Sequence, residues 1–266
     1  MKVSRLVQCI AWAVLAFLVL PSLLIAFMSF GTDPYLRFPP RGFTFDWYRL
    51  YFSDADWQSA TLFSLKIAIV AAVIAAAISL STAFGLERVS NPRLKESLRL
   101  VLLSPTVVPG IVSALAFYKL FSAVGLTGTF LGFVVAHTIL ATPFAYLCIS
   151  SQLHAYDRTL ETAARGLGAT RLQTFIHVTL PLLSPSIVIG AIFSFLVSFD
   201  EAVVSFFISD TQGKTLPRKM FEDIDFSVSP VLAAVATTIT VGTILLLAVI
   251  TILQNRMKRI PSQQKE

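Results

Sequence analysis

Three charged side chains, Lys66, Asp200 and Glu201, fall inside apolar runs long enough to cross a membrane. A charge at that depth is costly and normally faces a partner or an aqueous cavity. Asp200 and Glu201 lie about eight residues from one end of their run, roughly 10–12 Å deep at about 1.5 Å per residue. Lys66 lies about seven residues into its own run, at nearly the same depth. Two chemistries fit. Lys66 can pair with Asp200 or Glu201 as a structural ion pair, or the carboxylates can line a path for a cationic solute. Adjacent helical residues point about 100° apart, so the two acids need not share a role.

Other candidates carry less. His137 stands alone in mid-run and reads as a hydrogen-bonded packing residue rather than a proton relay. Gly213, Lys214 and Thr215 imitate the end of a phosphate-binding loop, but the glycine required five residues earlier is Ile208. No Cys/His cluster has metal-ligand spacing, and no cofactor or metal is expected. Ser, His and Asp occur without a nucleophile elbow, so the chain reads as non-catalytic. Cys9 and Cys148 both lie in apolar runs, which argues against a disulfide framework.

The elements that position these residues are membrane spans. The chain has 266 residues, 55% apolar and only 14% charged, against about 25% charged in soluble chains. Six runs reach the roughly 20 residues a spanning helix needs: 7–30, 59–85, 100–121, 129–151, 185–208 and 231–253. The expected class is an all-α membrane protein of six transmembrane helices in one domain, 1–266. The first run follows Lys2 and Arg5 but is too long for a signal-peptide core and has no clear cleavage site after it. Pro105, Pro109 and Gly110 interrupt the third run and Pro143 the fourth. Such kinks fit helices that pack inside a bundle or line a path. Gly128 and Gly132 form a weak helix-packing pattern. The loop 31–58 is rich in aromatics (Trp47, Tyr48, Tyr51, Phe52, Trp57) suited to a membrane interface. It reads as an anchoring surface helix or as a docking surface.

Lys and Arg counting sets the orientation. With the N-terminus inside, thirteen cations flank the inner ends, six sit in the outer loops, and Lys66 and Lys119 lie within spans. Both termini, and the polar segment 157–181, are then cytoplasmic. The basic net charge of +6 is thereby a topological asymmetry and not a nucleic-acid footprint.

Segment 157–181 is the longest polar interruption between two apolar runs. It reads as two short amphipathic helices joined at a glycine. Asp157 can cap the first. Leu160, Ala163, Ala164 and Leu167 share one face, with Arg158, Glu161, Thr162 and Arg165 opposite. Gly168 suits a left-handed helix end. Thr170 and Gln173 form a capping box for the second helix, lined by Leu172, Phe175, Ile176 and Thr179. Pro181 is expected to stop that helix.

This segment resembles the cytoplasmic EAA loop of ABC importer permeases. That pattern reads E-A-A, three residues, G, nine residues, then I-x-L-P. Here Ala163, Ala164, Gly168, Leu180 and Pro181 match in register, with Thr162 in the place of the Glu, Glu161 displaced by one, and Val178 in the place of Ile. The resemblance extends to the spermidine/putrescine permeases, specifically the second, PotC-like subunit. It rests on Leu103-Ser104-Pro105, Val108 to Val112, Ala136-His137-Thr138, Pro143-Phe144, Ser198 to Glu201, Thr215 to Pro217, and Ser229-Pro230 with Ala233-Ala234. It implies a type I ABC importer permease fold in a bacterial inner membrane. The implied partners are an ABC ATPase dimer, a second homologous permease and a periplasmic solute-binding protein. It implies that the helix around Ala163 to Gly168 couples to the ATPase through Glu161, Thr162, Ala163, Ala164, Arg165, Gly168, Leu180 and Pro181. The implied cargo is polyamine-like or another small amine. The competing expectation is an ion-coupled carrier that uses Asp200, Glu201 and Lys66.

Overall fold

A computed structural model describes residues 5–210, 213–226 and 229–258. Within them every regular element is helical. Lys2, Arg259 and Lys265, counted above for orientation, lie outside the described residues. The chain forms two compact units, 1–58 with 220–266, and 59–219.

In the first unit, α1 (Arg5–Met28) is a continuous apolar helix despite Pro21, and it buries none of its residues within the chain. The loop after it carries α2 (Asp46–Ser53). The aromatics expected at an interface tie this loop together. The Trp47 indole N–H donates to the Gly31 carbonyl at 2.7 Å. Tyr48 shares a 2.6 Å hydrogen bond with Ser29. Phe30 packs against Phe43, Phe45 and Tyr48. Both α1 and α2 pack on the last described helix, Pro230–Lys258.

The second unit holds most of the buried side chains. Its first helix, α3 (Ala55–Glu87), is 33 residues long and continues past the apolar run to end on a carboxylate. It presents Ala68, Ala71, Ala72, Ala75, Ala76 and Ala83 to the interior. Alanine removes little volume between backbones, so close packing in lipid is available here. The third run is not one kinked helix. Helix α4 (Pro92–Leu103) and a 3-10 turn at Ser104–Thr106 lead to a break, and α5 (Gly110–Val124) departs at 96°. Pro105 and Pro109 each lack a backbone N–H, and together they deny the ladder two donors within five residues.

Helix α6 (Phe130–Ala155) is the centre of this unit, and two-thirds of its apolar window is buried. Its Pro143 is absorbed inside the helix. Hydroxyls from neighbouring helices bond to its backbone, Ser79 to the Thr142 carbonyl at 2.9 Å and Ser194 to the Ala141 carbonyl at 3.1 Å. Against α6 lies α9 (Leu180–Phe199). Gly190 allows that approach, because a Cβ there would lie only 3.0 Å from the Ala145 Cα and 3.1 Å from its carbonyl oxygen.

The fifth run differs from its expected form at both ends. Pro181 does not stop the second elbow helix. Helix α8 (Arg171–Thr174), a π-helical stretch (Phe175–Thr179) and α9 form one continuous 29-residue helix. Proline removes one ladder bond and crowds the carbonyl four residues back, here that of His177. The wider π turn lies over that residue and re-registers the ladder, which is how such bulges accommodate an interruption. At the other end the helix stops at Phe199 and resumes as α10 (Val203–Ile208), so residues 200–202 break the run.

Candidate functional site: the polar elbow and the broken span

The elbow begins with the Asp157 carboxylate, which accepts the Thr159 backbone N–H at 2.9 Å. That bond holds the carboxyl below its ordinary value, since it stabilises the charged form. Helix α7 (Thr159–Gly166) follows. Gly168 has φ +91° and open space around its missing side chain, so backbone conformation alone calls for glycine there. Thr170 and Gln173 close the capping box, with the Thr170 N–H donating to the Gln173 amide oxygen at 2.8 Å and the Gln173 N–H to the Thr170 hydroxyl at 3.3 Å.

The face that carries Leu160, Ala163 and Leu167 is exposed, and Leu167 is 90% exposed. Ala164 is half-buried. Thr162, where the family pattern has Glu, spends its hydroxyl on the Arg158 carbonyl at 3.3 Å. Glu161 turns inward and accepts the Thr179 hydroxyl at 2.9 Å, tying α7 to the π stretch. Leu180 is half-buried and Pro181 exposed. Phe175 packs edge-on to Phe84 of α3, with 5.4 Å between ring centroids.

A second cluster supports the elbow from below, and sequence reading missed it. Glu87, the last residue of α3, receives Arg158 at 2.5 Å, Lys95 at 3.3 Å and His154 at 3.3 Å. Its side chain is 18% exposed, far less than those of its partners. The three partners come from different places: Lys95 from α4, His154 from the end of α6, and Arg158 from the residue before α7. Separations of up to 71 residues carry no periodic signal. Only the position of an acid at the close of a span, ahead of a cationic loop, hinted at it. Glu87 and Arg158 also line a cleft of about 940 Å³, together with Phe84, Phe175, Arg165 and Arg171.

The intramembrane charges do not assemble. Lys66 is exposed, and among the described residues neither Asp200 nor Glu201 forms an ion pair with it. Glu201 instead caps α10, accepting the Val204 N–H at 2.9 Å. The Asp200 side chain is exposed at the break, one residue after the stacked rings of Phe195 and Phe199. His137 is buried and spans the break from α6. Its Nδ1 lies 3.0 Å from the Ser198 carbonyl and 2.9 Å from the Ser198 hydroxyl, and its Nε2 lies 3.3 Å from the Ser205 hydroxyl. A neutral ring satisfies both sides, donating to the carbonyl from Nδ1 and accepting the Ser205 hydroxyl on Nε2. Sequence reading gave His137 a packing role but not these partners.

Among the described residues no three His, Cys, Asp or Glu side chains gather as metal ligands. Several apolar helices long enough to span, one of them broken at residues 200–202, and an exposed polar elbow define a multi-span membrane protein. Comparison with known proteins makes this specific. Residues 68–259 match the family of binding-protein-dependent transport system inner membrane components, and the chain belongs to that family. It is 31% identical over 230 residues to the spermidine/putrescine transport system permease protein PotC of Haemophilus influenzae, covering 86% of this chain and 89% of that one. It is 32% identical over 229 residues to the putrescine transport system permease protein PotI of Escherichia coli, covering 84% and 81%. Its fold is that of a chain in a bacterial ABC transporter that imports alginate, with TM-score 0.69, 12% identity, and 97% and 96% of the two chains covered.

Proposed function

We propose that this chain is a permease subunit of an ATP-driven importer for a polyamine or a similar small amine, in a bacterial inner membrane. Family membership and the match over most of the chain to polyamine permeases carry the reading. The chain forms half of a pore with a second, homologous permease. A periplasmic binding protein delivers solute on one side, and an ATPase dimer drives the cycle on the other.

The single observation that supports coupling is the exposed apolar face of α7. A short capped helix that leaves Leu160, Ala163 and Leu167 uncovered is the geometry of a helix laid in a partner's groove. Since Glu161 is engaged with Thr179, contact with the ATPase falls to shape and this apolar face, with Arg165 as the exposed charge. Asp200 at the break, with Phe195 and Phe199 stacked before it, supports a path for an amine, because carboxylates and ring faces both attract cations. The family match favours this reading over the ion-coupled carrier.

Co-purification and reconstituted uptake test the proposal. An ATPase subunit comes down with the chain, and labelled putrescine or spermidine enters vesicles only with ATP and the binding protein. Uptake driven by a proton or sodium gradient with the chain alone would overturn it.

A further inference from the structure

We infer that Glu87 is the positioning residue of the elbow, a carboxylate clasp that fixes the start of the docking helix to the membrane-spanning core. The inference rests on the importer reading for its consequence but not for its geometry. One carboxylate at the end of α3 holds the Lys95 ammonium from α4, the His154 ring from α6 and the Arg158 guanidinium from the threshold of α7. The two Glu87 oxygens divide the work, Oε2 taking Arg158 and Oε1 taking Lys95 and His154. Glu161, three residues on and still in the first turn of α7, adds a second tie, to Thr179. Helix α7 is thus tethered at its base while its apolar face stays clear.

Magnitude separates a clasp from a stabiliser. Arg158, Lys95 and His154 are all more than a third exposed, and pairs of that kind contribute little to global stability. Orientation is different. Helix α7 has eight residues and buries none of them, and a helix that short is marginal without tertiary support. A few weak contacts at its base therefore set its direction, and direction is what a rigid coupling element transmits.

The test compares the native complex with Glu87→Gln and Glu87→Gln/Arg158→Gln. Hydrogen exchange across residues 157–168 reads the clasp itself. The expected result is exchange about fivefold faster in Glu87→Gln, with α3 and α6 unchanged. Coupled assays read its consequence. Uptake falls about tenfold while the ATPase still co-purifies and hydrolyses ATP, and adding Arg158→Gln changes uptake by less than about twofold, the non-additivity expected of contacting partners. Unchanged exchange in Glu87→Gln overturns the clasp, and so do losses that multiply in the double variant. Native uptake that ignores ATP would instead sink the importer reading and leave the exchange result standing.

Discussion

At the residue scale, His137 shows how a polar side chain earns a place inside a bundle. Its ring is 2% exposed and both nitrogens are engaged, one on each side of the helix break. Removing it takes the partner from the buried Ser205 hydroxyl and leaves the Ser198 carbonyl only the long Glu201 N–H contact at 3.5 Å, a loss of about 1–3 kcal/mol. His137→Leu should lower the thermal midpoint of the purified protein in detergent by several degrees, whereas His137→Asn, which keeps a donor and an acceptor, should lower it less. Equal midpoints for native and Leu proteins would show that the break is held by packing alone. Glu201 teaches the opposite lesson. Its depth in an apolar run suggested a solute ligand or an ion pair, and its carboxylate is occupied by a backbone N–H. Depth in sequence identifies a charge that needs a partner but does not say which partner.

At the element scale, much was legible and the failures have one cause. The caps at Asp157 and Thr170, the left-handed Gly168 and the α7 face were readable because each depends on neighbours within four residues. Glu87, Lys95, His154 and Arg158 were not, because their meeting depends on how four helices pack. The misreading of Pro181 shares this cause. A proline fixes its own φ and removes one donor, but whether the helix stops, bends or widens depends on what surrounds it. Pro181 is carried through a π turn, Pro143 is carried within a helix, and Pro109 stands at a right-angle break. The contact between α6 and α9 gives an element-scale prediction. Gly190→Val puts two methyl groups where only 3.0 Å separates a Cβ from Ala145. The expected cost is about 1–3 kcal/mol of overpacking, measured as a lower thermal midpoint and weaker recovery from the membrane. A native midpoint in that variant would mean the two helices can slide apart freely.

At the scale of the whole molecule, the charge asymmetry makes a claim about sidedness that one cysteine can check. Leu167→Cys places a thiol on the 90% exposed side chain of the elbow. A membrane-impermeant maleimide should label it in inside-out vesicles and leave it untouched in right-side-out ones, above the background of Cys9 and Cys148. Labelling from the periplasmic side would reverse the orientation and with it the ATPase assignment. Sidedness also gives meaning to the unbroken helix Arg171–Phe199. Its 29 residues make a rod about 43 Å long at about 1.5 Å per residue. One end lies in the elbow and the other at the break that exposes Asp200. Such a rod works as a lever. A tilt of about 5° displaces its far end by nearly 4 Å over that length, roughly the width of a methylene chain. In the proposed import cycle a small rocking of the elbow therefore moves the Asp200 break by that distance, and the π turn beside Pro181 keeps the lever in one piece.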